Sequence, residues 1–330
     1  MRSTPRQPPV RSERWGRFWL GTRIALGVAG LAFVVWLVRD VGVEQLSAVL
    51  VPALAWLPIA TALELARVGM DAWSTRLTLG HRGRELPLAP LLGSHLVAFA
   101  VMGIAPAGRA TAEAVKASLL SRWIGGGAAV AAGTANQANT LLSSGTFTLA
   151  SAGAAWVATG PSLLTWALLA HFVLMNLSGL ALRAAARYER LGRWLGTRLP
   201  RIQAHVAAFH ATSRATALYP PRPVGAMILG RVFQAGHFGV LAVAVGMAPG
   251  VIGALALHGV YLVIAAIGVM IPGQLGASEG GFAYSAELLD VTVAQATAIA
   301  LLAHAVQLVL VAAGFVVLAL WPSRRRDEPA

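Results

Sequence analysis

Two breaks rich in proline and glycine interrupt long apolar segments of this chain, and each carries a glutamate seven residues after its proline. The first reads Pro106-Ala-Gly-Arg-Ala-Thr-Ala-Glu113 and the second reads Pro272-Gly-Gln-Leu-Gly-Ala-Ser-Glu279. Within the hydrocarbon of a bilayer, a broken helix is tolerated only where protein or a water-filled cavity satisfies the freed backbone groups. Matching breaks in the two halves of a membrane protein therefore indicate a binding site near the midplane.

The composition identifies the chain as an integral membrane protein. Of its 330 residues, 57% are hydrophobic and 12% are charged, which a water-soluble globule could not cover with polar surface. The net charge of +13 would suit nucleic acid, but the arginines cluster at the ends of apolar segments, as cytoplasmic loops require. We therefore predict contact with an anionic lipid surface and no nucleic-acid partner. Without cysteine, and with histidines scattered over different segments, we predict no metal and no cofactor.

The basic clusters also predict the path of the chain, because an apolar run of about 20 residues crosses the hydrocarbon once. Segment 88–122 begins and ends beside basic residues, whereas 250–290 lacks lysine and arginine, so we expect both of its ends to lie outside the cell. We predict an all-α polytopic protein in which these two segments are re-entrant helical hairpins that enter from opposite faces. Full crossings by 88–105 and 250–271 remain an alternative. The six predicted full crossings are 20–38, 48–75, 125–156, 161–182, 224–247 and 291–320.

The two breaks align with one another at a constant offset of about half the chain. Pro106 maps onto Pro272, and Glu113 maps onto Glu279, as expected of an inverted-topology repeat. We predict a multi-pass protein of the inner (cytoplasmic) cell membrane with both termini in the cytoplasm. The chain has three predicted parts: a disordered basic arm (1–19), one membrane domain (20–321) and a charged tail (322–330). Within the membrane domain, an amphipathic connection (183–222) joins the repeat halves 48–182 and 224–320.

Charged and amide side chains at membrane depth are the candidate substrate-binding residues. A half-helix that starts at each break directs its free N–H groups and positive dipole end inward, which suits a phosphate, and an arginine can bind phosphate bidentately. Two alternatives remain: the glutamates pair with the buried arginines for stability, or the amides only join helices. The candidates are Arg67, Arg109, Glu113, Asn136, Asn139, Arg231 and Glu279, with Pro106, Gly108, Pro272, Gly273 and Gly276 as helix-break residues.

These segments resemble the flippase-like membrane domain of lysylphosphatidylglycerol synthases. The likeness rests on Pro106, Arg109 and Glu113, and on the Pro-Gly-x-x-Gly-x-x-Glu run from Pro272 to Glu279. The family's first segment usually reads proline, any residue, arginine, glycine, glutamate, and its order is loosened here. The resemblance covers most of residues 20–320 and implies a lipid flippase-like transporter that translocates or binds a phospholipid or isoprenoid-type headgroup through a polar midplane cavity. We expect a stand-alone membrane domain without synthase activity, since a short charged tail follows Trp321.

Two other functional classes compete with transport. The chain could be a non-transporting partner of a lipid- or glycan-modifying enzyme. The other class is an intramembrane serine hydrolase, because Gly276-Ala-Ser278-Glu-Gly280 formally matches a serine-nucleophile pattern with His258 or His304 as base. That pattern requires a strand-turn-helix elbow, which an all-helical membrane segment does not provide. We therefore predict no catalytic residues and no enzyme activity. The expected partners are membrane lipids, with a lipid-modifying enzyme or a second copy of the chain as further candidates.

Overall fold

The structure is a computed structural model that describes residues 11–105, 108–188, 203–268 and 271–321, and all regular secondary structure within these ranges is helical. Short 3₁₀ turns at Leu54–Trp56 and Pro272–Gln274 accompany the α-helices. The α-helices are α1 (Arg11–Val41), α2 (Val43–Ala53), α3 (Leu57–Thr78), α4 (His81–Glu85), α5 (Leu88–Ile104), α6 (Gly108–Ile124), α7 (Gly126–Thr159), α8 (Leu163–Arg187), α9 (Gln203–Arg214), α10 (Pro221–Ala244), α11 (Gly250–Ile267), α12 (Ala277–Tyr284) and α13 (Val293–Ala319).

Seven helical segments of the described ranges are long and apolar enough to cross a membrane. Six coincide with the predicted full crossings, and the seventh is α11, in the first part of the predicted second hairpin. The prediction of an all-α polytopic membrane protein is therefore confirmed. The outward faces of these helices remain apolar: only 6% of the apolar window in α1 and 22% of that in α8 is buried inside the protein. Lipid, which is itself apolar, can cover such faces without an energetic penalty.

In the two predicted hairpins, α5, α6 and α12 are shorter than the crossing helices, whereas α11, with 18 residues, is long enough to cross. Helix α5 has 17 residues and so spans about 25 Å at 1.5 Å per residue, against about 30 Å of hydrocarbon. Helix α12 has only 8 residues and reaches about 12 Å. The lengths of α5 and α12 suit re-entrance, and the length of α11 suits the alternative of a full crossing. Re-entrance, the opposed entry of the two hairpins and the inverted repeat remain predictions.

Both predicted breaks interrupt the helices. Helix α5 ends at Ile104 and α6 begins at Gly108, while Pro106 lies outside the described residues. In the second break, Gly273 and Gly276 adopt φ angles of 60° and 81°, in the left-handed region that favours glycine. A Cβ atom on Gly276 would lie 2.8 Å from the Cα atom of Gly30, so α1 packs directly against this break.

The predicted arm and connection overlap the ends of helices. Helix α1 begins at Arg11, within the predicted arm 1–19, and the disorder of that arm remains a prediction. The predicted connection 183–222 includes the end of α8, helix α9 and the start of α10. Its central part, 189–202, lies outside the described residues, as do residues 1–10 and the tail 322–330.

Packing between the two halves encloses the centre of the protein. Helix α3 packs against α10, α7 packs against α8 and α11, and α13 packs against α5 and α12. Fully buried apolar side chains such as Phe238, Leu257 and Ile299 fill the larger core. A smaller cluster, which includes Leu91 and Leu120, joins α5 to α6.

Candidate functional site: a polar cavity between the two breaks

One cavity receives residues from both helix breaks. It has a volume of about 510 Å³, and its walls come from α3, α5, α6, α7, α8, α10, α11, α12 and α13. Gly108 at the first break and Gly273 at the second line it. Phe99, Leu262 and Phe282 provide an apolar part of the wall. The two breaks, which are far apart in sequence, therefore meet at one partly polar space.

Three arginines from three different helices line this cavity: Arg67 on α3, Arg109 on α6 and Arg231 on α10. Arg67 is tightly paired, since its Nε donates to Oε1 of Glu64 at 2.8 Å and its Nη1 donates to Oδ2 of Asp71 at 3.1 Å. Two carboxylates on its own helix thus compensate its charge.

The other two arginines contact neutral groups. Nη1 of Arg109 donates to the hydroxyl of Thr140 at 3.2 Å, and Nη1 of Arg231 donates to Oε1 of Gln234 at 2.7 Å. Within the described part of the chain, no carboxylate lies within salt-bridge distance of either guanidinium. The cavity therefore carries an excess of positive charge.

Glu113 belongs to a separate buried network beside the cavity. Its Oε2 lies 2.7 Å from Nζ of Lys116, and its Oε1 accepts from the amide of Asn136 at 2.9 Å. Asn136 in turn accepts from the hydroxyl of Thr75 at 3.0 Å, and that hydroxyl is 3.0 Å from Nε2 of His95. The network joins α6, α7, α3 and α5, and neither Glu113 nor Asn136 is among the residues that line the cavity.

Asn139 also joins helices at a distance from the cavity. It is fully buried, donates to the hydroxyls of Ser74 at 3.3 Å and Thr78 at 3.1 Å, and accepts from Arg183. These contacts connect α7 to α3 and α8. Its neighbour Thr140, by contrast, lines the cavity. The contacts of Asn139 match the alternative in which the amides hold helices together.

Glu279 stabilises the start of α12. It is 0% exposed, its Oε2 accepts from the backbone N–H of Gly276 at 2.8 Å, and its Oε1 lies 3.1 Å from Nε2 of His304. Nδ1 of His304 lies 3.3 Å from Oε1 of Gln307. His304 and Gln307 line the cavity, and Glu279 lies behind them.

The alternative in which the hairpin glutamates pair with Arg67 and Arg231 is wrong. Glu113 pairs with Lys116, one turn along α6, and Arg67 pairs with Glu64 and Asp71 on α3. Groups at i,i+3 and i,i+4 on one helix are close neighbours before any helices pack. Glu113 and Arg67 therefore each have a partner of opposite charge on their own helix and do not pair with one another.

Several cavity residues escaped the sequence-based list of candidates. Glu64 and Gln234 stand three residues from Arg67 and Arg231, so i,i+3 spacing could have identified both as partners. His304 gives no comparable signal, because its partner Glu279 lies on another helix. Only the packing of α13 against α12 brings these two side chains together.

Neither a hydrolase site nor a metal site forms in the described part of the chain. Ser278 lines the cavity, but no hydrogen bond joins it there to His258 or His304. His258 instead lies 3.3 Å from the hydroxyl of Ser151 and 3.3 Å from Oε1 of Gln234. The described residues contain no group of three or more histidine or acidic side chains that could hold a metal ion.

The fold and the cavity define a polytopic helical membrane protein with a buried polar site. Residues 20–314 match the family described as the lysylphosphatidylglycerol synthase TM region. The chain belongs to this family, so the resemblance predicted from the two break motifs is confirmed. The match concerns the membrane region of these synthases. Comparisons with curated proteins and with solved structures gave no significant match.

Proposed function

We propose that the protein is a flippase-like membrane transporter that binds and translocates the headgroup of a phospholipid or isoprenoid-type lipid through the cavity between the two breaks. One observation carries the proposal: both breaks and three arginines from separate helices line a single cavity of about 510 Å³. This volume lies within the usual range of small-molecule sites, about 300–1,000 Å³. Membership of the family of synthase membrane regions supports a lipid substrate.

The physical role of the cavity would be to lower the cost of moving a charged headgroup across hydrocarbon. A charged group at the bilayer centre costs about 2.5–3.5 kcal/mol on insertion scales. Guanidinium groups and backbone N–H groups at the breaks would replace the water that the headgroup loses. The acyl chains would stay in the bilayer, beside the apolar outer faces of the helices. In this role the membrane region itself catalyses no reaction, and its partners are the membrane lipids.

A steric block of the cavity tests this proposal without removing any charge. Ala303 lies on α13 and lines the cavity, so Ala303→Trp would place a large side chain inside it. Leu308, on the same helix, is 68% exposed and lies outside the cavity wall, so Leu308→Trp is the matched control. Translocation would be measured in proteoliposomes with headgroup-labelled phospholipid and a membrane-impermeant quencher.

Wild type and Leu308→Trp are expected to translocate the lipid, and Ala303→Trp is expected to lose most of this activity. Equal activity of all three folded proteins would show that the cavity is not the path. If the wild type moved neither a labelled phospholipid nor a labelled isoprenoid lipid, the partner of a lipid- or glycan-modifying enzyme would become the better hypothesis.

A further inference from the structure

We propose that the cavity selects headgroups of net negative charge, with Arg109 and Arg231 as the residues that bind the phosphate. This inference rests on the proposed function and names the class of lipid that the site accepts. It predicts that anionic phospholipids bind more tightly than zwitterionic ones, and that lipids with an added ammonium group bind most weakly.

Positive side chains outnumber negative ones on the cavity wall. Arginine supplies three positive side chains, and among the described residues that line the cavity Glu64 supplies the single carboxylate. Glu64 and Asp71 both pair with Arg67, at 2.8 and 3.1 Å. Arg109 and Arg231 have no carboxylate within salt-bridge distance in the described part of the chain, so an anion that enters the cavity would be attracted to these two groups.

The neutral partners of the two arginines hold them without compensating their charge. The hydroxyl of Thr140 accepts from Arg109 and itself donates to the backbone carbonyl of Asn136 at 3.0 Å. The amide oxygen of Gln234 accepts from Arg231, and Nε2 of His258 lies 3.3 Å from the same oxygen. Each contact occupies one of the five N–H donors of a guanidinium. Donors remain for the bidentate binding of a phosphate.

Repulsion among the positive charges in the cavity favours the binding of an anion. Arg67 and Arg109 repel the Arg231 guanidinium as neighbouring positive charges, and Asp71 attracts it as a neighbouring negative charge. In a site screened from water, such repulsion is much stronger than in bulk solvent. A phosphate between Arg109 and Arg231 would turn this repulsion into attraction, whereas a cationic headgroup would add to it.

The apolar part of the wall favours a lipid phosphate over the free ion. Phe99, Leu262 and Phe282 line the same cavity as the arginines. They would contact the glycerol and the first methylene groups of a lipid, and such burial increases affinity in proportion to the apolar area removed from water. Inorganic phosphate cannot make these contacts.

The test measures binding by the purified full-length chain in detergent, by native mass spectrometry. The probes are short-chain phosphatidylglycerol, which is anionic, short-chain phosphatidylcholine, which is zwitterionic, and inorganic phosphate as competitor. The variants are Arg109→Gln, Arg231→Gln and their double. Arg222→Gln is the matched control, because Arg222 lies on α10 with Arg231 but is exposed and outside the cavity wall.

The wild type and Arg222→Gln are expected to bind phosphatidylglycerol about tenfold or more tightly than phosphatidylcholine, because both lipids carry the phosphate but the two arginines repel the ammonium group of choline. Each single variant should lose about tenfold in affinity for phosphatidylglycerol. It should lose less for phosphatidylcholine, because removing an arginine removes an attraction for the phosphate and a repulsion of the choline together, and the double variant should not discriminate. Equal wild-type affinities, or discrimination retained by a folded double variant, would overturn the inference. Inorganic phosphate that displaced phosphatidylglycerol at comparable concentrations would overturn the assignment to a lipid.

This binding assay contains no bilayer and is therefore independent of translocation. Anion-selective binding without translocation would refute the proposed function and leave the selectivity intact. Translocation without anion selectivity would refute only the present inference. Thermal unfolding of each variant in the same detergent identifies any substitution that acts by preventing folding.

Discussion

Replacing Glu113 by leucine is expected to destabilise the protein by about 3–5 kcal/mol, the usual cost of removing one partner of a buried ion pair. The size of the effect follows from burial: the Lys116 side chain is 3% exposed, and its Nζ lies 2.7 Å from Oε2 of Glu113. Without the carboxylate, the ammonium group remains in the protein interior with its charge uncompensated. The amide of Asn136 loses an acceptor at the same time, a cost that overlaps with the first and does not simply add to it.

Lys116→Met should cost less than Glu113→Leu. Glu113 would keep its hydrogen bond from Asn136, and 15% of its side chain is exposed. The double variant Glu113→Leu/Lys116→Met removes both charges of this pair. It should retain only the cost of the unsatisfied Asn136 amide, about 1–3 kcal/mol. The double variant is therefore expected to be more stable than Glu113→Leu alone.

The free energy of unfolding would be measured in mixed micelles of increasing SDS content, followed by circular dichroism. Glu85→Leu is a suitable control, because it removes a surface contact to His81 in which the side chains are 84% and 67% exposed. Such a pair is worth only about 0–1 kcal/mol. A double variant whose destabilisation equals the sum of the two single effects would refute the coupled ion pair.

The same variants separate a structural role of Glu113 from a role in substrate binding. Because Glu113 and Lys116 do not line the cavity, the folded double variant should translocate lipid at the wild-type rate in proteoliposomes. Loss of translocation by a protein of unchanged fold would favour the sequence-based prediction that Glu113 binds the substrate.

Two further predictions concern the second break and the topology. Glu279→Ala should destabilise the protein by about 1–3 kcal/mol, because α12 loses its cap and His304 loses a buried partner. In thermal unfolding, Glu279→Gln should recover part of this stability. Equal loss of stability in both variants would contradict the capping role. With a membrane-impermeant thiol reagent on oriented vesicles, Arg84→Cys should react from the cytoplasmic side and Glu287→Cys from the external side. Reaction of both from one side would contradict hairpins that enter from opposite faces.

Much of the fold was predictable from sequence because it depends on local properties. Apolar length and the positions of basic clusters predicted six crossings that the structure contains. The chemistry of proline and glycine predicted both helix breaks, since glycine alone readily adopts the φ of 81° found at Gly276. The short-range pairs Glu64–Arg67 and Glu113–Lys116 follow from i,i+3 spacing.

Tertiary structure decided which candidate residues share one cavity. Arg67, Arg109 and Arg231 line it, whereas Glu113 lies in a network with Asn136, and Glu279 lies behind His304. Sequence periodicity places a side chain on a face of its own helix, but the rotation and packing of helices distant in sequence determine what that face meets. The charge of the cavity is therefore a property of the packed structure, because it depends on which arginines have carboxylates within reach.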